Sequence, residues 1–505
     1  MPAATRDPRD PMNISKWHKI LGLGCLSFFG ALIMSAELIL GAALPVFAIQ
    51  YAGIDPSTFL PALANTAGGF PAGSNPLMAL EYLGGPPIFK VYFLATMPLL
   101  VISVANLFLV PLGISIGRRP VILIAGLVAI AGAAWAGESD SLDTHIIARC
   151  LQAIGAGSVE SLIPFIIQDI VPVHQRNTWI SAAFAAQGVI IIAIGFSAPF
   201  MIVNLSWRWI YHATAIAASF FLVGVFFFLP ETRWYRTRDE MDGIPRDDAE
   251  VHYPPRTWKT NLSLYNGFQF NKGGQALLDT ISTFFYPSIF FVTILNGAVI
   301  AGGFAAGFSA APALLVQPWS WPFQNIGLCL IPILIAAGFI VLVTGPFADW
   351  TANLAAKSRG RRLPENQLIN LALPWASSML GTLLFGLSGG NQTKYHWMVF
   401  LLSLAFTTFG FLGVSTITTV YVLESYPHIA GPVLVNVATF RWIMAFFLIL
   451  WASDWIVDLG YLPTFSIYLG IIAFSGLMMP FVYVFGPSWR KRFSGDHLAN
   501  RNYGI

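Results

Sequence analysis

Four ionisable side chains lie in apolar stretches of this sequence, where water is scarce. Glu160 stands near the middle of LQAIGAGSVESLIPFIIQDI, residues 151–170, and Glu37, Arg149 and Arg441 lie in three similar runs. An ionised group in hydrocarbon is costly, so such residues face a partner or a water-filled cavity and often mark a transport pathway. A buried carboxyl group is also suited to binding and releasing a proton.

Each of these residues allows more than one interpretation. Glu160 is a proton carrier, an attractor of a cationic substrate, or one partner of a structural ion pair. Glu37 is a second carboxylate for a cation or a proton relay, or it is merely hydrated near the outer mouth. Arg149 lies near a helix end, where its side chain could snorkel to the interface. Arg441 either pairs with a carboxylate or carbonyl across the molecule or binds an anionic group.

The composition is that of a helical membrane protein. Of 505 residues, 56% are hydrophobic and 10% are charged, and the mean hydropathy is +0.67. A soluble globular protein carries about 25% charged residues. The apolar runs are close in length to the roughly 20 residues that a helix needs to cross the hydrocarbon. The net charge of +3 is too small to indicate a nucleic-acid partner, whereas the lipid bilayer is an obligatory one.

We predict an all-α membrane protein with twelve transmembrane helices in two six-helix halves. The halves cover 20–230 and 284–485, a polar linker covers 231–283, and tails cover 1–19 and 486–505. The predicted spans are 20–48, 91–114, 119–136, 145–171, 179–203, 209–229, 284–310, 324–346, 367–387, 397–422, 431–455 and 462–485.

The basic residues predict how the chain is oriented. With the N-terminus in the cytosol, all but five of the 27 Lys and Arg residues fall in cytosolic segments, as the positive-inside rule requires. Both tails and the linker are then cytosolic. The sequons that begin at Asn204 and Asn391 fall in outer loops, where glycosylation can occur. We expect the plasma membrane, with the vacuolar membrane as the alternative.

Signatures of several other protein classes are missing from the sequence. It contains neither the G-x-x-x-x-G-K-[ST] loop of an ATP-driven pump nor the H-E-x-x-H motif of a zinc hydrolase. We therefore expect no enzymatic activity, no metal site and no cofactor.

Local motifs resemble those of the major facilitator superfamily. VPLGISIGRRPVIL (110–123) resembles its signature loop between spans 2 and 3, and TGPFADW (344–350) resembles the second-half copy of that loop. ARCLQAIGAGSVE (148–160) is similar to the span-4 motif, and FLPETRW (228–234) is similar to the span-6 exit motif.

Two more motifs point to one branch of this superfamily. DPMNISKWHK (10–19) and YVLESYP (421–427) resemble the fungal drug:proton antiporters, and most of all their organic-cation and polyamine transporters. The sequence departs from the family's motifs at two places. Ile114 stands where the loop motif usually has an aspartate, and the antiporter signature of span 5 is only loosely present in GVIIIAIGFSAPF (188–200).

The resemblance implies a monomer with the major facilitator fold, in which a small organic substrate binds between the halves and protons drive transport. It implies a role in proton coupling for Arg149. It also implies a cytosolic gate, whose arginines bond helix-end carbonyls and nearby acids in one access state only. The gate residues would be Gly117, Arg118, Arg119, Glu231, Asp349, Arg361, Arg362 and Glu424.

Several uncharged polar residues also fall within the predicted spans. Gln187 in span 5 and Asn296 in span 7 are the favoured ligand contacts, although such residues more often bind helix to helix. Together these features predict a proton-coupled secondary transporter that exports a drug or secondary metabolite. Uptake of polyamines or other organic cations is the alternative, and a transport-inactive sensor is a weaker one.

Overall fold

The computed structural model describes residues 5–56, 84–234, 255–264, 267–348, 363–426 and 429–493, together with positions 350, 351, 354 and 357. Within these ranges, side chains are left undescribed at 36–42, at 173–178 and at a few single positions.

Twelve helices in the described part of the chain are long and apolar enough to cross a membrane, which confirms the predicted fold class. The first six are α1 (Lys16–Tyr51), α2 (Ile88–Ile116), α3 (Arg118–Gly137), α4 (Leu142–Ile170), α5 (Val173–Asn204) and α6 (Arg208–Phe228). The second six are α7 (Pro287–Leu315), α8 (Phe323–Leu342), α9 (Pro364–Gly390), α10 (Trp397–Ser425), α11 (Gly431–Leu459) and α12 (Tyr461–Arg492). Most ends lie within a few residues of the predicted ones.

A further helix lies between the halves, in the segment predicted only as a polar linker. It covers Phe270–Thr283 and is called the linker helix below. It follows a single helical turn at Trp258–Leu262 and ends three residues before α7. We call the end of the bundle where α6 ends and α7 begins the linker side, and the opposite end the far side.

Local sequence explains how α4, which carries Glu160, begins at the far side. Ser141 and Thr144 form a capping box, in which the Ser141 hydroxyl accepts from the Thr144 N–H at 3.2 Å and Thr144 Oγ1 accepts from the Ser141 N–H at 3.3 Å. Asp143 adds a negative charge to the first turn, where the helix dipole favours it. The helix then runs unbroken to Ile170 and stops before Pro172, which cannot continue it.

The apolar core is divided differently at the two ends of the bundle. On the far side, one cluster contains residues of both halves, among them Phe47, Tyr92, Phe308 and Tyr468. On the linker side, the two halves have largely separate clusters. The halves are therefore packed against each other on the far side. α4 and α7 are the most buried spans, and α8 and α12 are among the least buried.

Candidate functional site

An ion pair joins the two halves within the membrane spans. The Arg441 guanidinium on α11 donates to Glu160 Oε1 on α4, and the neighbouring Trp442 Nε1 donates to Glu160 Oε2 at 2.9 Å. Each carboxylate oxygen therefore has a donor from the opposite half. Both charged side chains are largely buried, with 12% of Glu160 and 16% of Arg441 exposed. This contact matches one of the two alternatives that the sequence left open for Arg441.

The two charges lie at matching depth. Glu160 precedes the end of α4 at Ile170 by ten residues, and Arg441 follows the start of α11 at Gly431 by ten residues. At 1.5 Å per residue, each lies about 15 Å from the linker-side end of its helix. That depth is near the midplane of a hydrocarbon layer about 30 Å thick, where transporters built from two repeats hold their substrates.

Polar and aromatic groups surround this pair. Asn106 Nδ2 on α2 donates to Thr439 Oγ1 on α11 at 3.2 Å, which is a second polar contact between the halves. The Trp442 ring packs edge-on against Phe304 of α7, with 5.2 Å between centroids. The carboxylate thus accepts hydrogen bonds from two donors, one of which, Trp442, packs on the aromatic side of the second half.

In the described part of the chain, Gln187 on α5 has a side-chain N–H group without a hydrogen-bond partner, near the residue that precedes Glu160. The residue is 4% exposed, and its Nε2 has no hydrogen-bond partner among the described residues. A Cβ added to Gly30 of α1 would lie 3.4 Å from this nitrogen and 2.6 Å from Val159, which precedes Glu160. A buried donor without a partner costs about 1–3 kcal/mol. A ligand oxygen bound to this nitrogen would remove that cost, and the prediction that Gln187 contacts ligand stays a prediction.

Asn296 on α7 is placed differently, because its hydrogen-bonding groups are already engaged within the second half. Its Nδ2 donates to Val292 O at 2.9 Å and to Thr418 Oγ1 at 2.8 Å, and its Oδ1 accepts from Ser415 Oγ at 2.9 Å. Asn296 therefore binds α7 to α10 in this conformation. The prediction that it also contacts ligand stays a prediction.

Arg149 lies away from the ion pair, towards the far side of α4. It is fully buried, and its Nη1 donates to Gln152 Oε1 at 3.3 Å. Its guanidinium also lies over the Tyr211 ring of α6, at 5.8 Å from the centroid. Arg149 and Glu160 are eleven positions apart, which corresponds to about 16 Å of helix. Glu37 falls within the bounds of α1, but its side chain lies outside the described residues.

A buried histidine near Arg149 was missed by the sequence analysis. His145 Nε2 shares a hydrogen bond with Tyr211 Oη at 2.9 Å, and its Nδ1 shares one with Tyr51 Oη at 3.0 Å. The imidazole also stacks on Trp207, with 5.1 Å between ring centroids. These contacts join α1, α4 and α6 on the far side. Because these partners are far apart in sequence, no pattern along the chain brings them together.

On the linker side, Glu231 caps the N-terminus of α3. Its carboxylate accepts the backbone N–H groups of Arg118 at 3.0 Å and of Arg119 at 3.2 Å. Gly117 has a φ of +121°, which lets the chain turn directly into the helix, and a Cβ there would overlap the carboxylate. Glu231 therefore does contact this loop, through the backbone amides of Arg118 and Arg119.

The side chains of the two loop arginines have other partners. Arg118 Nε pairs with Asp169 Oδ2 on α4 at 3.3 Å, and both side chains are almost fully buried. Arg119 Nη1 donates to the linker carbonyls of Asn261 at 2.8 Å and Ser263 at 3.0 Å. These arginines therefore hold the first half and the linker together. Asp169 was not among the predicted gate residues, although it is the third acid of a largely apolar helix.

The second half has its own charged contact on the linker side. Glu365 at the start of α9 is fully buried, and its carboxylate pairs with Arg490 near the end of α12 at 3.3 Å. Glu424 is exposed at the end of α10. Three predicted gate residues lie outside the described residues, namely Asp349, Arg361 and Arg362.

Asn204 and Asn391, the two sequon asparagines, are both exposed at far-side helix ends. Asn204 ends α5, and Asn391 follows α9 directly. Their placement on one side of the bundle agrees with the predicted topology, and glycosylation of either stays a prediction. In the described part of the chain, no group of three His, Cys, Asp or Glu residues could hold a metal ion.

The family of this chain follows from a match to a sequence model. The model of the Major Facilitator Superfamily matches residues 58–447, which is more than half of the chain. The chain belongs to the major facilitator superfamily. It is therefore an integral, multi-pass membrane transporter rather than an enzyme.

Curated relatives in this superfamily are distant. An uncharacterized MFS-type transporter of Schizosaccharomyces pombe is 20% identical over 94% of this chain and 84% of its own length. The MFS-type efflux transporter ffsH of Aspergillus flavipes is 29% identical, over 26% of this chain and 23% of its own. Among solved structures, the xylose transporter XylE of E. coli has a TM-score of 0.58 at 14% identity, covering 91% of this chain and 98% of that one. The last match shows a shared fold.

One departure from the superfamily's loop motif has a structural counterpart. Ile114, at the position of the usual aspartate, is 5% exposed and packs against Ala276 of the linker helix. Its carbonyl also lies 3.4 Å from Arg233 Nη1, which donates to it. In this transporter, the loop position thus forms an apolar contact with the linker in place of a charged one.

Proposed function

We propose that the protein is a proton-coupled secondary transporter that moves a small organic molecule by alternating access. In this proposal Glu160 is the group that carries the proton. The main support for this proposal is the Glu160–Arg441 pair, which links opposite halves near the middle of the membrane and is largely shielded from water.

Protonation of Glu160 gives the pair a means of coupling. The ionised carboxylate attracts Arg441 and accepts from Trp442, whereas the neutral acid loses the charge attraction and one acceptor. An uncompensated buried arginine is unfavourable. The Arg441 charge would therefore favour a rearrangement of the halves, or the binding of a substrate acceptor group, once Glu160 is protonated. Gln187 would supply a further substrate contact.

We favour export of a drug or secondary metabolite. The ffsH relative is named an efflux transporter, although it aligns with only a quarter of this chain. The ion pair also weakens the alternative of polyamine or organic-cation uptake, because Arg441 already neutralises the carboxylate that would attract a cation. Glu37 remains a candidate for a second carboxylate.

The proposal places the protein as a monomer in the plasma membrane, with both tails and the linker in the cytosol. The distribution of Lys and Arg supports that orientation. The vacuolar membrane is the alternative location, and a transport-inactive sensor is the alternative role.

The test uses purified protein in liposomes that contain a pH-sensitive dye. Spermidine, a quaternary ammonium compound, an organic acid and a neutral metabolite are added in turn, and wild type is compared with Glu160→Gln. The matched control is Glu138→Gln, because the Glu138 side chain is 76% exposed at the far side, away from the ion pair.

Ligand-driven proton flux in wild type and in Glu138→Gln, lost in Glu160→Gln while binding is retained, supports the proposal. The active ligand then gives the substrate class. If Glu160→Gln keeps wild-type coupling, the pair is structural, and Glu37 and Arg149 become the candidates. If a ligand binds but none drives flux in wild type, the sensor alternative is favoured.

A further inference from the structure

The linker helix exposes large apolar side chains, although it belongs to a segment that is polar overall. Phe270 is 62% exposed, Leu278 is 67% exposed and Ile281 is 41% exposed. In a helix surrounded by water, this surface would be left without a partner.

The side chains of the linker helix are sorted into three strips along its length. Successive residues are rotated by about 100° in an α-helix, which places Phe270, Leu278 and Ile281 on one strip. The strip that packs on the protein is formed by Gly273, Ala276, Asp279, Thr280 and Thr283. The third strip is exposed and polar, and it is formed by Asn271, Gln275 and Ser282.

These strips follow one another around the helix in the order protein, apolar, polar. A helix that lies at a membrane surface shows such a division, because one exposed side meets acyl chains and the other meets water. A helix that lies wholly in water has no reason to separate its exposed residues in this way.

The apolar strip continues into the lipid-facing surface of the bundle. Phe285, just beyond the linker helix, is 74% exposed. The adjacent Phe284 packs edge-on against Phe290 of α7, with 5.5 Å between ring centroids. Phe290 is itself 37% exposed on a transmembrane helix. The same hydrocarbon that covers α7 can therefore cover the strip without a break.

The opposite side of the linker helix bridges the two halves. At its start, the Gln269 N–H donates to Ser115 O of α2 at 2.9 Å, and Gly273 packs so closely on Ser115 that a Cβ would overlap its hydroxyl. At its end, Asn436 Nδ2 of α11 donates to Thr280 O at 2.7 Å. One helix thus contacts the first half and the second half at the seam between α2 and α11.

We propose that the linker helix lies in the lipid interface on the linker side of the membrane, with Phe270, Leu278 and Ile281 among the upper acyl chains. The bilayer is then its partner, and lipid holds in place the helix that spans the seam. This inference goes beyond the proposed function and does not depend on which molecule is transported.

The test measures which solutes reach a nitroxide label on each strip. The three native cysteines are replaced by alanine, and single cysteines are introduced as Leu278→Cys on the apolar strip and Gln275→Cys on the polar strip. Phe220→Cys on α6 is the lipid-facing reference, because Phe220 is 73% exposed on a transmembrane helix. The labelled proteins are placed in phosphatidylcholine nanodiscs and probed with oxygen, which concentrates in lipid, and with a water-soluble nickel chelate.

We expect the oxygen-to-chelate collision ratio at Leu278→Cys to lie well above that at Gln275→Cys and below that at Phe220→Cys, because Phe220 lies deeper in the hydrocarbon and oxygen is most concentrated there. Equal and low ratios at positions 275 and 278 would show that water covers both strips, and the proposal would fail. It would also fail if neither reagent reached position 278, because a protein would then cover the strip. Ile281→Cys repeats the measurement one turn away, so that an effect of one substitution on folding is recognised.

Discussion

Glu231 caps α3 only a few residues from Ile114, which replaces the aspartate usual in this loop of the superfamily. Glu231 lies three residues beyond the end of α6 at Phe228, yet its carboxylate accepts the first two backbone N–H groups of α3. The acid that stabilises this helix end is therefore supplied by the segment that follows α6. The loop position itself is free to form the apolar contact between Ile114 and Ala276.

Gly117→Ala is expected to destabilise the protein, because alanine is strained at a φ of +121° and its Cβ would overlap Glu231. The loss should exceed the roughly 1 kcal/mol of an ordinary glycine effect. Thermal unfolding in detergent measures it. Gly274→Ala is the control, because its Cβ would meet open space on a helix. A Gly117→Ala protein as stable as Gly274→Ala would contradict the described loop geometry.

Glu231→Ala is expected to cost about 1–2 kcal/mol, because α3 loses both the cap and the negative charge at the positive end of its dipole. Glu231→Gln should cost less, since one acceptor oxygen remains. The melting temperatures of the two variants test this order. Equal losses would assign the effect to charge alone.

Arg441→Gln is expected to lower stability by about 3–5 kcal/mol, the range found when one partner of a buried ion pair is removed. Glu160→Gln removes the other charge. The double variant should lose less than the sum of the two single variants, because neither charge is then left alone. The melting temperatures of the wild type, the two single variants and the double variant together form a double-mutant cycle. Strict additivity would mean that Glu160 and Arg441 do not interact.

His145→Phe is expected to destabilise the far side of the first half, because it leaves the hydroxyls of Tyr51 and Tyr211 without their imidazole partner. Each intramolecular hydrogen bond that is lost costs about 0.5–1.5 kcal/mol. His212→Phe is the matched control, since the His212 side chain is 28% exposed and pairs with the exposed Glu138. Similar melting temperatures for the two variants would argue against the buried hydrogen bonds.

Arg490→Gln is expected to destabilise the second half, because it leaves the fully buried Glu365 without its cation. The exposed Arg492 provides the control, and Arg492→Gln should change the melting temperature little. Arg490→Lys should fall between the two. If all three variants unfold alike, the Glu365–Arg490 contact contributes nothing to stability.

The twelve spans could be predicted from the sequence because hydrophobic length alone decides them. Charges buried in those spans also indicated that Glu160 and Arg441 needed partners. The partners themselves could not be predicted, since Asp169, Trp442 and Tyr211 reach their sites through packing between distant segments. The linker helix was missed because Gly273 and Gly274 weaken its helical signal. The role of its protein-facing side is seen only in the structure, where that side contacts Ser115 and Asn436.

The apolar core that both halves share on the far side is expected to make opening of that side depend on temperature. A conformation open on that side would expose surfaces around Phe47, Tyr92 and Phe308 to water. Hydration of apolar surface raises the heat capacity, so the enthalpy and entropy of such an opening both change with temperature. Because burial of apolar surface is less favourable in the cold, cooling is expected to shift the population towards the conformation that is open on the far side.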